Sequence, residues 1–113
     1  MSVEMLLADG APPAVGPYSH ATLTKESAYI SGCLALDAEG TFLGGDAAAQ
    51  AKQALSNLSK VLAAANLAPS DVAKTVVFLT DMAVFAAVNA VYAEFFGDHV
   101  PARSCIAVAA LPL

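Results

Sequence analysis

Two stretches of the chain repeat their apolar residues at the helical spacing. Over Asp46 to Ala65, the residues Ala47, Ala51, Ala54, Leu55, Leu58, Val61, Leu62 and Ala65 fall within about one-third of the helical circumference. Lys52, Ser56, Ser59 and Lys60 fall on the opposite side. Asp46 stands where an N-cap or first-turn acid meets the free backbone N–H groups of a helix start. Over Val84 to Phe96 the apolar set is Val84, Val88, Val91, Tyr92 and Phe95, flanked by Phe85 and Phe96. Thr80 or Asp81 can cap this second helix and Gly97 can end it. Asn57 and Asn89 border the two apolar stripes and read first as structural residues. Between the helices, Asp71 to Leu79 is rich in β-branched and aromatic residues and predicts a buried strand. Met1 to Leu7, Ala21 to Lys25 and Ala28 to Cys33 predict three more strands, the last two joined as a hairpin by Lys25-Glu26-Ser27. Pro101 opens a final strand, Ala102 to Ala109. Asp9 to Pro17, with its prolines and glycines, and the glycine-rich Asp37 to Gly45 predict loops without phosphate-loop spacing. The order is thus three strands, helix, strand, helix, strand. Helices inserted in this way cover one face of a sheet and leave the other for something else to cover.

Length and composition sharpen that point. The 113 residues suit one domain, 1–113, with a single core. Hydrophobic residues make up 58% and charged residues only 13%, against about 25% charged in ordinary soluble domains. Much of the apolar excess is alanine, yet so few charges leave a large uncharged surface, which predicts a subunit contact. The net charge is −5, and the five bases, Lys25, Lys52, Lys60, Lys74 and Arg103, are scattered. This argues against electrostatic binding of nucleic acid, and no basic amphipathic face for a membrane is visible. Met1 to Leu7 lacks the basic and apolar runs of a signal peptide, and no apolar run of about 18 residues is free of polar interruption. A cytoplasmic location is therefore expected. Cys33 and Cys105 have no metal-ligand spacing and are expected to be reduced thiols, with no metal bound.

Arg103 is the most informative residue for chemistry. It is the only arginine, and it opens an otherwise apolar strand. A guanidinium stays charged and needs a partner when partly buried, and its planar fork matches a carboxylate with two parallel hydrogen bonds. It is therefore a candidate carboxylate clamp, the plainer alternative being a structural ion pair or a solvated strand end. Strand alternation places Arg103 and Cys105 on one face, with Ser104 and Ile106 on the other. A cysteine next to an arginine can be an activated thiolate, but no base at a recognisable spacing supports a nucleophile; His20 and His99 are the available histidines. Tyr18 follows Gly16-Pro17 in a loop, where its hydroxyl can meet a ligand or its ring can cover the core edge. Ser31 precedes Gly32, a position that permits close backbone approach.

These segments occur together in a familiar order. Gly16-Pro17-Tyr18-Ser19, Ser31-Gly32, Asn57-Leu58, Asp71-Val72 with Lys74, Asn89 with Tyr92, Pro101-Ala102-Arg103-Ser104 and Leu111-Pro112 resemble the RidA/YjgF family over nearly the whole chain. The resemblance implies an α+β fold of the bacillus chorismate-mutase-like type, a mixed sheet with two helices on one face. It also implies that three copies pack sheet to sheet into a barrel with clefts between subunits. Family enzymes hydrolyse reactive 2-imino acids such as 2-aminoacrylate to 2-keto acids and ammonia without a cofactor. Carried over residue by residue, Arg103 would clamp the substrate carboxylate. Tyr18 and Ser31 would line the cleft, Asn89 would lie near it, and Cys105 would act through its backbone groups beside the imine and its water. A protonated imine is already electrophilic, so positioning next to one water supplies much of the acceleration. His20 and Cys33 stand where the family commonly has glutamine. Family members also continue past the position of Leu113 with a glycine turn and a strand carrying a glutamate that positions or activates the water. These 113 residues do not include that strand, which is expected to leave a neighbouring strand edge unpaired. The alternative function is a non-catalytic binder of small carboxylates in the same cleft; a ribonuclease, an older family label, fits the acidic charge least.

Overall fold

A computed structural model describes residues 2–113. The elements are β1 (Glu4–Leu6), β2 (Ala21–Leu23), β3 (Ala28–Ile30), α1 (Ala47–Ala64), a 3-10 turn (Pro69–Asp71), β4 (Lys74–Leu79), a second 3-10 turn (Met82–Val84), α2 (Phe85–Phe96) and β5 (Ala102–Ala107). The order is the expected one and the strands are shorter than expected. Asp71 closes a 3-10 turn rather than opening β4, and Met1, placed in the first strand by the sequence, lies outside the described residues.

Local chemistry fixes the helix ends. Asp46 Oδ1 accepts the Ala49 N–H at 2.8 Å and starts α1. At its other end Asn66 takes a left-handed φ of 60°. Leu67 N–H then donates to Leu62 O at 2.8 Å and Asn66 N–H to Ala63 O at 3.0 Å, a paired closure of the last free carbonyls. Asp81 Oδ1 accepts the Ala83 N–H at 2.9 Å, so Asp81 rather than Thr80 caps the turn that leads into α2. Gly97, at φ 61°, ends that helix.

The strands form two sheets rather than the one mixed sheet expected. β1, β2 and β3 make an antiparallel meander; β4 and β5 pair in parallel, with α2 as the crossover that parallel neighbours require. β3 keeps only β2 as a neighbour and β4 only β5, so among the described residues no strand bridges the two sheets. The meander register sets Leu6, Ala21 and Ile30 in one line across its inner face. These residues pack with Ala8 against Val61 of α1. The alternate line, Met5, Thr22 and Tyr29, faces outward. In the parallel pair, Thr75 lies opposite Arg103 on the side covered by α2, while Val76, Phe78 and Ile106 face outward. The outward side is apolar and open: Met5 is 76% exposed, Tyr29 64%, Phe78 50%, Val76 48% and Ile106 46%. Its polar contact is Lys74 Nζ donating to Ser104 Oγ at 2.9 Å. Among the described residues no helix is long and apolar enough to cross a membrane.

Asn57 ties α1 to the connection that follows β3. It is 2% exposed. Its Nδ2 donates to Leu34 O at 2.9 Å and to Leu36 O at 2.8 Å, and its Oδ1 accepts from Gln53 Nε2 at 3.2 Å. Removing this amide strands the Leu34 carbonyl, while Leu36 O keeps Gln53 Nε2 at 3.0 Å, at about 1–3 kcal/mol for a buried unmet group. Asn57→Ala should therefore lower unfolding stability by roughly 1–3 kcal/mol in urea denaturation. A loss below about 0.5 kcal/mol, the size of an ordinary surface change, would contradict this role.

Candidate functional site

The second residue of β5 brings a fixed charge under α2. Arg103 Nη1 donates to Asn89 Oδ1 at 2.7 Å. Its guanidinium carbon lies 4.8 Å from the centre of the Tyr92 ring and 5.4 Å from that of Phe85. Phe85, Asn89 and Tyr92 are spaced i, i+4, i+7, so one face of α2 presents all three. The aromatic faces attract the cation, and the amide oxygen is a neutral acceptor, not a counter-charge. Among the described residues no carboxylate forms an ion pair with Arg103. One N–H of the fork is used by Asn89 and the others have no partner among the described residues. That arrangement leaves a positive, planar, multidentate donor able to take a carboxylate.

The backbone beside Arg103 is also available. Ala102 N–H donates to Ala73 O at 3.2 Å and Val108 N–H to Leu79 O at 2.7 Å. Parallel ladders alternate, so the even-numbered residues of β5 face β4. The peptide groups of Arg103 and Cys105 point to the other edge, which no described strand pairs. The Cys105 side chain lies on the half-buried face with Arg103, as strand alternation predicted.

Tyr18 and Ser31 come together elsewhere. Tyr18 N–H donates to Gly16 O at 2.8 Å, a tight turn that leaves the ring half exposed. Ser31, just past the end of β3, donates its hydroxyl to Ser19 O at 2.7 Å. Both line a cavity of about 50 Å³ with His20, Cys33 and Asn57, and both line an open groove with Met5, Thr22 and Tyr29. Neither concavity includes Arg103, Asn89 or Cys105. One chain thus gathers the candidate residues into two groups, Arg103 with Asn89 and Cys105 on the parallel pair, and Tyr18 with Ser31 at the edge of the meander.

The histidines are occupied by backbone. His20 Nδ1 accepts the Ala8 N–H at 2.8 Å, which requires its Nε2 to carry the proton donated to Pro12 O at 2.7 Å. His99 Nε2 donates to Val72 O at 2.7 Å. No hydrogen bond joins either histidine to either cysteine among the described residues, and no group of three His, Cys, Asp or Glu side chains among them could hold a metal. Cys33 and Cys105 are both free thiols. Burial pushes the Cys33 thiol up to about 11, and its S–H donates to Ser31 O at 3.7 Å. The sequence did not assign a role to Thr75, whose hydroxyl lies 2.7 Å from that of Tyr92. Phe85 had been read only as a flank of the apolar stripe.

This two-helix α+β fold is shared by solved structures. RidA from an Antarctic Psychrobacter is 39% identical, with a TM-score of 0.91 over 96% of this chain and 89% of that one. E. coli TdcF with bound serine is 35% identical, with a TM-score of 0.88 over 96% and 88%. The 2-iminobutanoate/2-iminopropanoate deaminase of Capra hircus is 46% identical over 103 residues, which is 90% of this chain and 75% of that protein. Residues 9–113 match the family described as Endoribonuclease L-PSP. The chain belongs to that family, the same RidA/YjgF grouping that its motifs resemble.

The raised Cys33 thiol predicts selective labelling. The thiolate is the nucleophile, and at pH 8 almost all of Cys33 is protonated, three units below about 11. Iodoacetamide at pH 8 should alkylate Cys33 far more slowly in the native protein than after denaturation, as followed by peptide mapping. Labelling of Cys33 equally fast in the native and denatured protein would contradict the raised thiol.

Proposed function

We propose that the chain hydrolyses small 2-imino acids to 2-keto acids and ammonia, with Arg103 as the carboxylate clamp. The observation that carries this reading is the Arg103 environment, a fixed positive charge held by a neutral amide and two aromatic rings with most of its donors free. Two relatives support it from outside the chain: one is named for 2-iminobutanoate and 2-iminopropanoate deamination, and another was solved with bound serine, itself a small α-amino acid. In the reaction, water adds to the C=N carbon, nitrogen takes up protons, the C–N bond breaks, and ammonia leaves as the 2-keto acid forms. The clamp would hold the carboxylate in place. The outward peptide groups of Arg103 and Cys105 would sit beside the imine and its water and orient both. Catalysis of this kind rests on positioning, so Cys105 serves through its backbone and not as a nucleophile. No cofactor is called for.

The single domain 1–113 would work as a homotrimer, in the chorismate-mutase-like barrel that the resemblance implies, with the outward sheet faces turned inward. Two features support this. The open face carries Met5, Tyr29, Val76, Phe78 and Ile106, a large apolar area for a chain of low charge. The two residue groups lie apart within one chain, so a cleft bounded by two copies can set Tyr18 and Ser31 of one against Arg103 of the next. The reaction suits a cytoplasmic protein that meets the imines released by other enzymes. Ribonuclease activity, which the family description names, is disfavoured by the net charge of −5 and the scattered lysines.

Sedimentation equilibrium at micromolar concentration should give three times the monomer mass, and a stable monomer would reject the assembly. Calorimetric titration of 2-ketobutyrate tests the clamp. Arg103→Ala should weaken binding by about tenfold or more, since charge-assisted hydrogen bonds are worth roughly 1.5–3 kcal/mol. Arg103→Lys should fail nearly as badly, because lysine keeps the charge and loses the fork. Unchanged affinity in Arg103→Ala would rule the clamp out. Decay of a freshly generated imino acid, followed with and without protein, separates hydrolysis from binding alone.

A further inference from the structure

We infer that Thr75 and Tyr92 form a positioning pair that sets the plane of the Arg103 guanidinium; this rests on the carboxylate reading of Arg103. Three observations meet at one point. Thr75 is the register partner of Arg103 across the parallel pair, so both side chains rise on the same face at the same level. Tyr92, one turn before the end of α2, lies over both: its ring centre is 4.8 Å from the guanidinium carbon and its hydroxyl is 2.7 Å from the Thr75 hydroxyl. The same ring packs against Phe96, with centroids 4.7 Å apart.

The consequence follows from side-chain freedom. An arginine has several rotatable bonds, and the Asn89 bond pins only Nη1, about which the rest of the fork can still turn. A flat ring against the cation fixes the remaining tilt, provided that the ring itself does not turn. The Thr75 hydroxyl anchors the outer end of the ring axis to the strand that carries no other part of the clamp, and Phe96 packed on the ring limits its turning about that axis. The device therefore locks helix to sheet at the ligand-binding cation. Neither residue touches the ligand in this account; both act through Arg103. A bidentate bond to a planar carboxylate needs the fork held in one plane, so loosening the ring should cost affinity without emptying the core.

Tyr92→Phe and Thr75→Val keep the ring and the shape of the side chain and delete one hydroxyl each. Each should weaken 2-ketobutyrate binding about three- to tenfold in calorimetric titration, while Thr75→Ser restores it. In an Arg103→Lys background the same two substitutions should add little further loss, because the group they position is gone. A second readout needs no ligand. Arg103 is the only arginine, so the amide–nitrogen correlation spectrum contains a single arginine Nε–H signal. The Tyr92 ring should shift that signal from its solvent-exposed position, and Thr75→Val should move it back toward that position and broaden it. Wild-type affinity in both hydroxyl deletions, with Arg103→Lys still impaired, overturns the positioning pair and leaves the clamp standing. Failure of the wild type to bind 2-ketobutyrate overturns the carboxylate reading instead. The Nε–H signal then judges the pair by itself: an unmoved signal in Thr75→Val overturns it.

Discussion

A charge that cannot be neutralised by losing a proton governs this molecule. Arg103 stays cationic at every working pH, lies half buried at the head of β5, and has an amide and two aromatic rings around it where a buried cation ordinarily has a carboxylate. Each of these neighbours comes from α2, and α2 lies where it does because it is the crossover between β4 and β5. The parallel pair, the helix over it and the uncompensated cation are therefore one unit. An internal acid would neutralise this charge, whereas the amide and the rings hold the cation without a counter-charge among the described residues.

The rest of the chain supports this unit from the side and exposes a second surface. α1 packs against α2 and against the inner line of the meander, and Asn57 anchors the long connection from β3 to α1 by its backbone carbonyls. With both helices on the inner side, the apolar residues of the outer side have nothing among the described residues to cover them. The proposed assembly resolves two facts together. It would bury that face, and it would bring Tyr18 and Ser31 to a cleft whose cation belongs to a neighbouring copy.

Much of this was legible in the sequence where the information is local. The helix stripes, the Asp46 cap, the Gly97 stop and the 24–27 hairpin all depend on residues within a few positions of one another. The hairpin closes with Thr24 N–H donating to Ser27 O at 2.8 Å. The pairing of Arg103 and Cys105 on one strand face needed only the two-residue period. What was not legible depends on pairing across the chain. The division into two sheets is set by which strands meet, and the alternation of apolar residues does not encode that. Thr75 had no signal because its partner, Tyr92, is 17 residues away on another element. Phe85 and Tyr92 gave the apolar period of a core helix, and only the register of β5 against β4 reveals that these rings face a cation. His20 was a candidate proton-transfer partner by residue type. In the fold both of its ring nitrogens bond backbone, which gives it a structural role.

The central claim is that the Arg103 charge is kept for the carboxylate of a ligand. A crystal structure of the protein with 2-ketobutyrate tests it most directly. The account predicts the ligand carboxylate about 3 Å from two guanidinium nitrogens of Arg103, with the Asn89 bond intact and Tyr18 and Ser31 of a second copy closing the cleft. A ligand bound away from Arg103, or an acidic side chain of another copy paired with the guanidinium in its place, would contradict it.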